Sequence, residues 1–175
     1  RLRPGELLAL VGRSGGGKST ALAVLLGFVA PTRGRVLVDG VDLQAIDATS
    51  WRRQLALVAQ TPGMIDGSVA DNIALGDPGA GRAQLRAVLD AAGGAALELD
   101  RPVGEGGVGL SAGERRRVAL ARALLRIESG EANLLVLDEP TAGLDQATEA
   151  RAVAGVRAAG VGAVVVSHRP ALLAL

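Results

Sequence analysis

Unbroken apolar runs of strand length alternate with helix-forming stretches along these 175 residues, and the first run leads through a glycine-rich loop straight into a helix. Together these features predict an α/β fold with a parallel sheet covered on both faces, because strands buried on both sides read as continuous apolar runs. Composition agrees with a packed chain. Apolar residues make up 49% and cysteine is absent, which excludes a disordered chain, a disulfide scaffold and a cysteinyl metal site. With 19 basic against 18 acidic residues, the charge is too balanced for a protein whose task is to neutralise nucleic-acid phosphates. Mean hydropathy is +0.32, yet the longest apolar run, Ala21 to Ala30, stops at Pro31, well short of the roughly 20 residues that cross a bilayer. The opening Arg1-Leu2-Arg3-Pro4 and the apolar close at Ala171 to Leu175 read as cuts, so truncation at both ends is expected.

Taken in order, Leu7 to Val11 is the first strand and Lys18 to Leu26 the first helix. Val36 to Val38 is a short strand closed by Asp39-Gly40, a pair suited to the positive φ angles of hairpin turns. Leu55 to Ala59 is a further buried strand. From Thr61 to about Gly109, Gly and Pro punctuate short helical pieces, and Leu85, Val88, Leu89 and Ala92 form a one-sided stripe at helical spacing. A helix over Ser111 to Leu125, a strand over Leu134 to Leu137, a helix over Gln146 to Ala158 and a strand over Ala163 to Val166 complete the pattern. The expected division is a nucleotide-binding core over 1–60 and 127–175, with a helical subdomain inserted over 61–126.

Gly12-Arg13-Ser14-Gly15-Gly16-Gly17-Lys18-Ser19 has the glycine, lysine and hydroxyl spacing of a phosphate-binding loop, and it stands between a strand and a helix as that loop must. Its glycines let successive N–H groups face the β-phosphate, the helix N-terminus adds partial positive charge, and the ammonium reaches the β and γ oxygens. Lys18 is the only lysine of the chain, so the one position whose chemistry needs a compact ammonium is the one that keeps it. Ser19 would ligate Mg²⁺. Leu134 to Leu137 delivers Asp138 and Glu139 to the carboxyl end of a strand, where ligands bind in open α/β sheets. Asp138 would hold Mg²⁺ directly or through water, and Glu139 would polarise an attacking water. Ser111, with the N–H groups of Ala112 and Gly113, opens a helix as a second anion site, although a capping box of Ser111 with Glu114 would explain this segment alone.

In this combination the chain resembles the nucleotide-binding domain of ATP-binding cassette (ABC) transporters, a P-loop NTPase with a RecA-like parallel core. Gly12 to Ser19, with Thr20 after it, matches the family's Walker A, Gln60 its Q-loop, Leu110 to Glu114 its signature, and Leu134 to Glu139 its Walker B. Ala142-Gly-Leu-Asp145 matches the D-loop and Ser167-His168-Arg169 the switch histidine. The resemblance implies ATP and Mg²⁺, with Gln60 at the metal and attacking water, Asp145 near the nucleotide and His168 at the γ-phosphate. It also implies a second nucleotide-binding domain, identical or not, paired head to tail so that each signature caps the other's ATP. Val103 to Gly107 and Asp71-Asn72-Ile73 resemble exporter loops. The stretches Asp71 to Pro78 and Gly104 to Glu114 look most like the cysteine and glutathione exporter subunits of cytochrome bd biogenesis.

The signature departs from the family's Leu-Ser-Gly-Gly-Gln at Ala112 and Glu114. Alanine still offers its N–H, but a carboxylate would repel a γ-phosphate unless Arg115, Arg116 or Arg117 compensates. The adenine-stacking aromatic that the family places upstream of Walker A is expected outside this chain. The resemblance thus implies an ATP-hydrolysing domain on the cytoplasmic face of a bacterial plasma membrane, joined to transmembrane helices in one longer polypeptide, with no nucleic-acid partner. Competing readings are an importer subunit and a soluble ABC ATPase. A metabolic P-loop kinase gives no reason for Ser111 to Glu114, and the stretch from Ser111 to Asp138 leaves no room for the coiled coil of DNA-repair relatives.

Overall fold

The computed structural model describes residues 1–13, 15–140 and 145–167. In chain order these form β1 (Leu7–Leu10), α1 (Lys18–Leu25), a hairpin of β2 (Leu37–Val38) and β3 (Val41–Asp42), α2 (Ala48–Arg53) and β4 (Leu55–Val58). Then follow β5 (Gly67–Ser68), α3 (Val69–Ala74), α4 (Arg82–Ala91), β6 (Pro102–Val103), α5 (Ala112–Glu128), β7 (Leu134–Asp138), α6 (Gln146–Ala158) and β8 (Gly162–Val166). The central sheet has the order β1-β8-β7-β4 and every pairing in it is parallel. All four strands therefore present their carboxyl ends at one edge, where the expected site residues fall.

Each strand of the sheet is sandwiched as its apolar sequence requires. Ala56, Val58, Leu135, Leu137, Ala163 and Val165 join a core built with α3, α4, α5 and α6. Their alternates Leu55, Val136, Val164 and Val166 face the other way, into a second core with Leu22, Leu26, Leu43 and Trp51. The indole N–H of Trp51 donates to the Leu25 carbonyl at 2.6 Å, which fastens α2 to the end of α1. The α4 stripe is realised as read, with Leu85, Val88, Leu89 and Ala92 all buried. Its contacts lie in the same core as the sheet, so the helical part has no separate interior.

Helix starts follow local chemistry. Asp47, Ser68, Ser111 and Asp145 each accept a backbone N–H of the first turn. Most element ends fall within a residue of expectation, and two features depart further. Helix α5 runs past Leu125 to Glu128 because Ile127 continues its buried face and no breaker occurs before Gly130. The two-residue ribbon of β5 with β6, pairing Gly67 with Val103 and Ser68 with Pro102, is absent from the sequence reading, since strands this short carry no periodic signal. Among the described residues no helix is long and apolar enough to cross a membrane.

Candidate functional site

The loop after β1 is shaped by contacts that only its own sequence permits. Gly17 caps α1 at φ 80°, ψ 8° without a side-chain acceptor, leaving the first-turn N–H groups open to an incoming anion. A side chain on Gly16 would meet the Arg13 carbonyl at 2.9 Å, while its N–H donates to that same carbonyl at 3.0 Å and closes the turn. The half-buried Lys18 folds back over the loop, donating from Nζ to the carbonyls of Gly12 at 2.8 Å and Arg13 at 2.9 Å. Gly12, Arg13, Gly15, Ser19 and Thr20 are exposed around it. Ser14 lies outside the described residues.

Opposite stands the end of β7. Burial, and then the charge of Glu139, push the Asp138 carboxyl above its ordinary value, with Lys18 pulling the other way. A half-buried carboxylate with an anionic neighbour and one ammonium is a site in want of a cation. Among the described residues no group of three or more metal-binding side chains occurs. Mg²⁺ does not need one, since it is commonly held by one or two protein oxygens plus phosphate and water, and Ser19 with Asp138 fits that donor set.

Glu139 adopts φ 51°, a left-handed conformation that costs a residue with a Cβ energy. Its N–H donates to the Val166 carbonyl of β8 at 2.9 Å, so the neighbouring strand holds the turn that carries this carboxylate. Gln60 is exposed two residues beyond β4, at the same edge of the sheet. Ser167, directly after β8, is buried. His168 and Thr141 to Leu144, most of the D-loop match, lie outside the described residues. Asp145 caps α6, accepting from the N–H of Thr148 at 3.0 Å and from its hydroxyl at 2.7 Å, and these bonds hold its carboxyl below the ordinary value.

The signature segment opens α5, whose buried residues belong to one core while Leu22 and Leu26, in and just after α1, belong to the other. No hydrogen bond or ion pair between described residues joins Ser111 to Glu114 with the loop of Gly12 to Thr20. The capping box is formed, with Ser111 Oγ accepting from the Glu114 N–H and Glu114 Oε2 accepting from the Ser111 N–H. The N–H groups of Ala112 and Gly113 enter none of the cap, turn or loop bonds among described residues, so the capping box leaves them open to an anion. The partner of Glu114 corrects the sequence expectation. Arg101 donates to Glu114 Oε1 at 2.7 Å, whereas Arg115 turns to the carbonyls of Gly107 and Leu110. Burial alone would raise the Glu114 carboxyl, but Ser111 and the Arg101 guanidinium outweigh it and hold it low.

A second group escaped the sequence reading. The side chain of Asn72, wholly buried, receives the Ile65 N–H and donates to the carbonyls of Ile65 and Ser68. Arg122 of α5 reaches across to the Asn72 carbonyl and side-chain oxygen and to the Gly63 carbonyl. The segment after Gln60 is thereby tied to the signature helix. The Asp71-Asn72-Ile73 match was the only signal for it.

Residues 1–142 match the sequence profile described as ABC transporter. The chain belongs to the ABC transporter family. This ABC domain is 45% identical over 158 residues to the mycobactin import ATP-binding/permease protein IrtB of Mycolicibacterium smegmatis, covering 87% of this chain and 27% of that protein. It is 41% identical over 154 residues to the ATP-dependent lipid A-core flippase of Neisseria meningitidis serogroup A, covering 85% and 24%. A solved structure of a bacterial Atm1-family ABC exporter with ATP bound matches with a TM-score of 0.85 and 37% identity, over 96% of this chain and 30% of that one. The fold is that of the ABC ATP-binding domain, of the type found in exporters, and the chain spans about a quarter to a third of the length of these relatives.

Proposed function

We propose that this domain binds and hydrolyses ATP as the motor of a membrane ABC exporter. The observation that carries the reading is the convergence at one sheet edge of an open phosphate loop under Lys18 with the Asp138-Glu139 pair, the latter held in a left-handed turn by Val166. Lys18 and the first turn of α1 bind and orient the phosphates. Mg²⁺, held by Ser19 and Asp138 with help from Gln60, would neutralise charge that develops on the phosphate oxygens. Glu139 takes a proton from the attacking water, and His168 steadies the γ-phosphate.

The placement of α5 and α1 in different cores of the sheet supports a composite site, in which a second nucleotide-binding domain, identical or different, docks head to tail and supplies its signature to the bound ATP. ATP acts as a ligand that prefers the closed pair, and hydrolysis releases it. Closure is passed to membrane helices through Gln60 and Val103 to Gly107. The relatives named above carry their transport function on longer chains, which supports a transmembrane part in the same polypeptide and a position on the cytoplasmic face of a bacterial inner membrane. The near-neutral charge gives no support for a nucleic-acid partner.

An import direction is the second reading, favoured by the name of the mycobacterial relative. Cysteine or glutathione as cargo rests only on the loops Asp71 to Pro78 and Gly104 to Glu114. Uptake and efflux of labelled thiols and siderophores in inverted vesicles decide between them. The test of the motor is Glu139→Gln in the full-length protein. It should trap unhydrolysed ATP in a closed pair, and a hydrolysis rate equal to that of the parent would remove Glu139 from the mechanism.

A further inference from the structure

Glu114 stands where the resembled signature has glutamine, and a free carboxylate there would oppose the γ-phosphate that the composite site brings to Ser111, Ala112 and Gly113. In this chain both carboxylate oxygens are already engaged. Oε2 accepts the Ser111 N–H at 2.8 Å and Oε1 accepts Arg101 at 2.7 Å, so the carboxylate is folded back onto the start of its own helix. The other arm of the guanidinium donates to the Gly109 carbonyl at 2.6 Å, just before the signature begins.

Arg101 is itself delivered by ordered backbone. Its N–H donates to the Glu98 carbonyl at 3.2 Å, its carbonyl accepts the Val69 N–H at the head of α3 at 3.0 Å, and its neighbour Pro102 pairs with Ser68 in the β5–β6 ribbon. The side chains of the pair are 39% and 18% exposed, so water screens the interaction only in part. Arg115, the residue that follows Glu114, does not supply this arrangement, since it is committed to the carbonyls of Gly107 and Leu110.

We infer that Arg101 is a positioning residue for ATP-driven pairing: it neutralises Glu114 and holds its carboxylate on Ser111, so that a signature carrying glutamate still accepts the partner domain's γ-phosphate. The inference rests on the composite-site reading above. It assigns the effect of Arg101 to charge, passed through Glu114, and not to propping Gly109.

The test uses the full-length protein, with ATP turnover as one readout and ATP retained by the Glu139→Gln background after desalting as the other. Arg101→Ala should lower both by about tenfold, the order expected for one partly screened charge a few ångströms from a phosphate. ADP affinity, which reports the Gly12 to Thr20 loop alone, should stay within about twofold of the parent, the scatter allowed to independent sites. In a Glu114→Gln background the same Arg101→Ala change should alter turnover less than about twofold, and Arg101→Lys should recover most of the loss in the parent. An equal loss in the Glu114→Gln background, or no loss from Arg101→Ala in the parent, overturns the inference. Should Arg101→Ala fail to accumulate as folded protein, Arg101→Met, which keeps the apolar stem, carries the same comparison. If Glu139→Gln itself retains no ATP, the composite-site reading falls and takes this inference with it. Retention by Glu139→Gln that Arg101→Ala leaves untouched removes this inference alone.

Discussion

Lys18→Ala isolates the group to which the proposed function gives the phosphates. In the structure the ammonium is spent on two loop carbonyls, those of Gly12 and Arg13, at 2.8 and 2.9 Å. Binding ATP exchanges these neutral acceptors for phosphate oxygens. Each exchange of a neutral for a charged acceptor gains about 1–1.5 kcal/mol, so losing both costs about 2–3 kcal/mol, or about 30- to 150-fold in affinity at 1.4 kcal/mol per decade. Folding should barely respond. Lys18 is only half buried and its two acceptors belong to exposed residues, so Tm should move by less than ~2 °C. Titration calorimetry with ATP and Mg²⁺, beside a thermal melt, separates the two effects. Lys18→Arg refines the argument, because a planar guanidinium cannot present the same compact charge under two phosphates and should turn over ATP well below the parent. ATP affinity of Lys18→Ala within about threefold of the parent, or full turnover by Lys18→Arg, would refute the reasoning.

Two further substitutions probe the parts that the loop depends on. Asp138 is held above its ordinary value by burial and then by Glu139, so its ionisation costs folding free energy at every pH above the unfolded value, and removing the charge should return that cost. Asp138→Asn should therefore raise the Tm of the nucleotide-free protein while lowering Mg²⁺-dependent turnover by about 100-fold or more; a drop in Tm, or unchanged turnover, contradicts this. Asn72→Ala takes the acceptor from the Ile65 N–H and a donor from the carbonyls of Ile65 and Ser68 at a part-buried site, and leaves a gap where the buried amide was, at a cost of about 2–4 kcal/mol. A Tm lowered by roughly 5–12 °C is expected, and a shift under about 2 °C would show that water replaces the amide.

What was legible from the sequence is what local geometry alone enforces. A parallel sheet buried on both faces demands unbroken apolar strands, and Leu134 to Leu137 and Ala163 to Val166 declare themselves for that reason, as does the loop whose Gly16 leaves no room for a Cβ and whose Gly17 needs a positive φ. Strand order was not legible, yet it mattered little to the site. Any arrangement with all strands parallel brings Gly12, Gln60, Glu139 and Ser167 to one edge. Compensation of Glu114 was misplaced for a different reason. Charge can be balanced by any cation within reach, and nearness along the chain is a poor guide on a helix, where residues one and two apart, as Arg115 and Arg116 are from Glu114, do not face each other. The cation that pairs with it lies 13 residues away, just before a ribbon too short to leave a pattern. The same holds for Arg122, whose reach to Asn72 spans 50 residues. A phosphate loop has to be spelled out by its own backbone, so it is written in consecutive residues; the charges that tune the opposing surface need only meet in space, and only the folded chain shows which of them do.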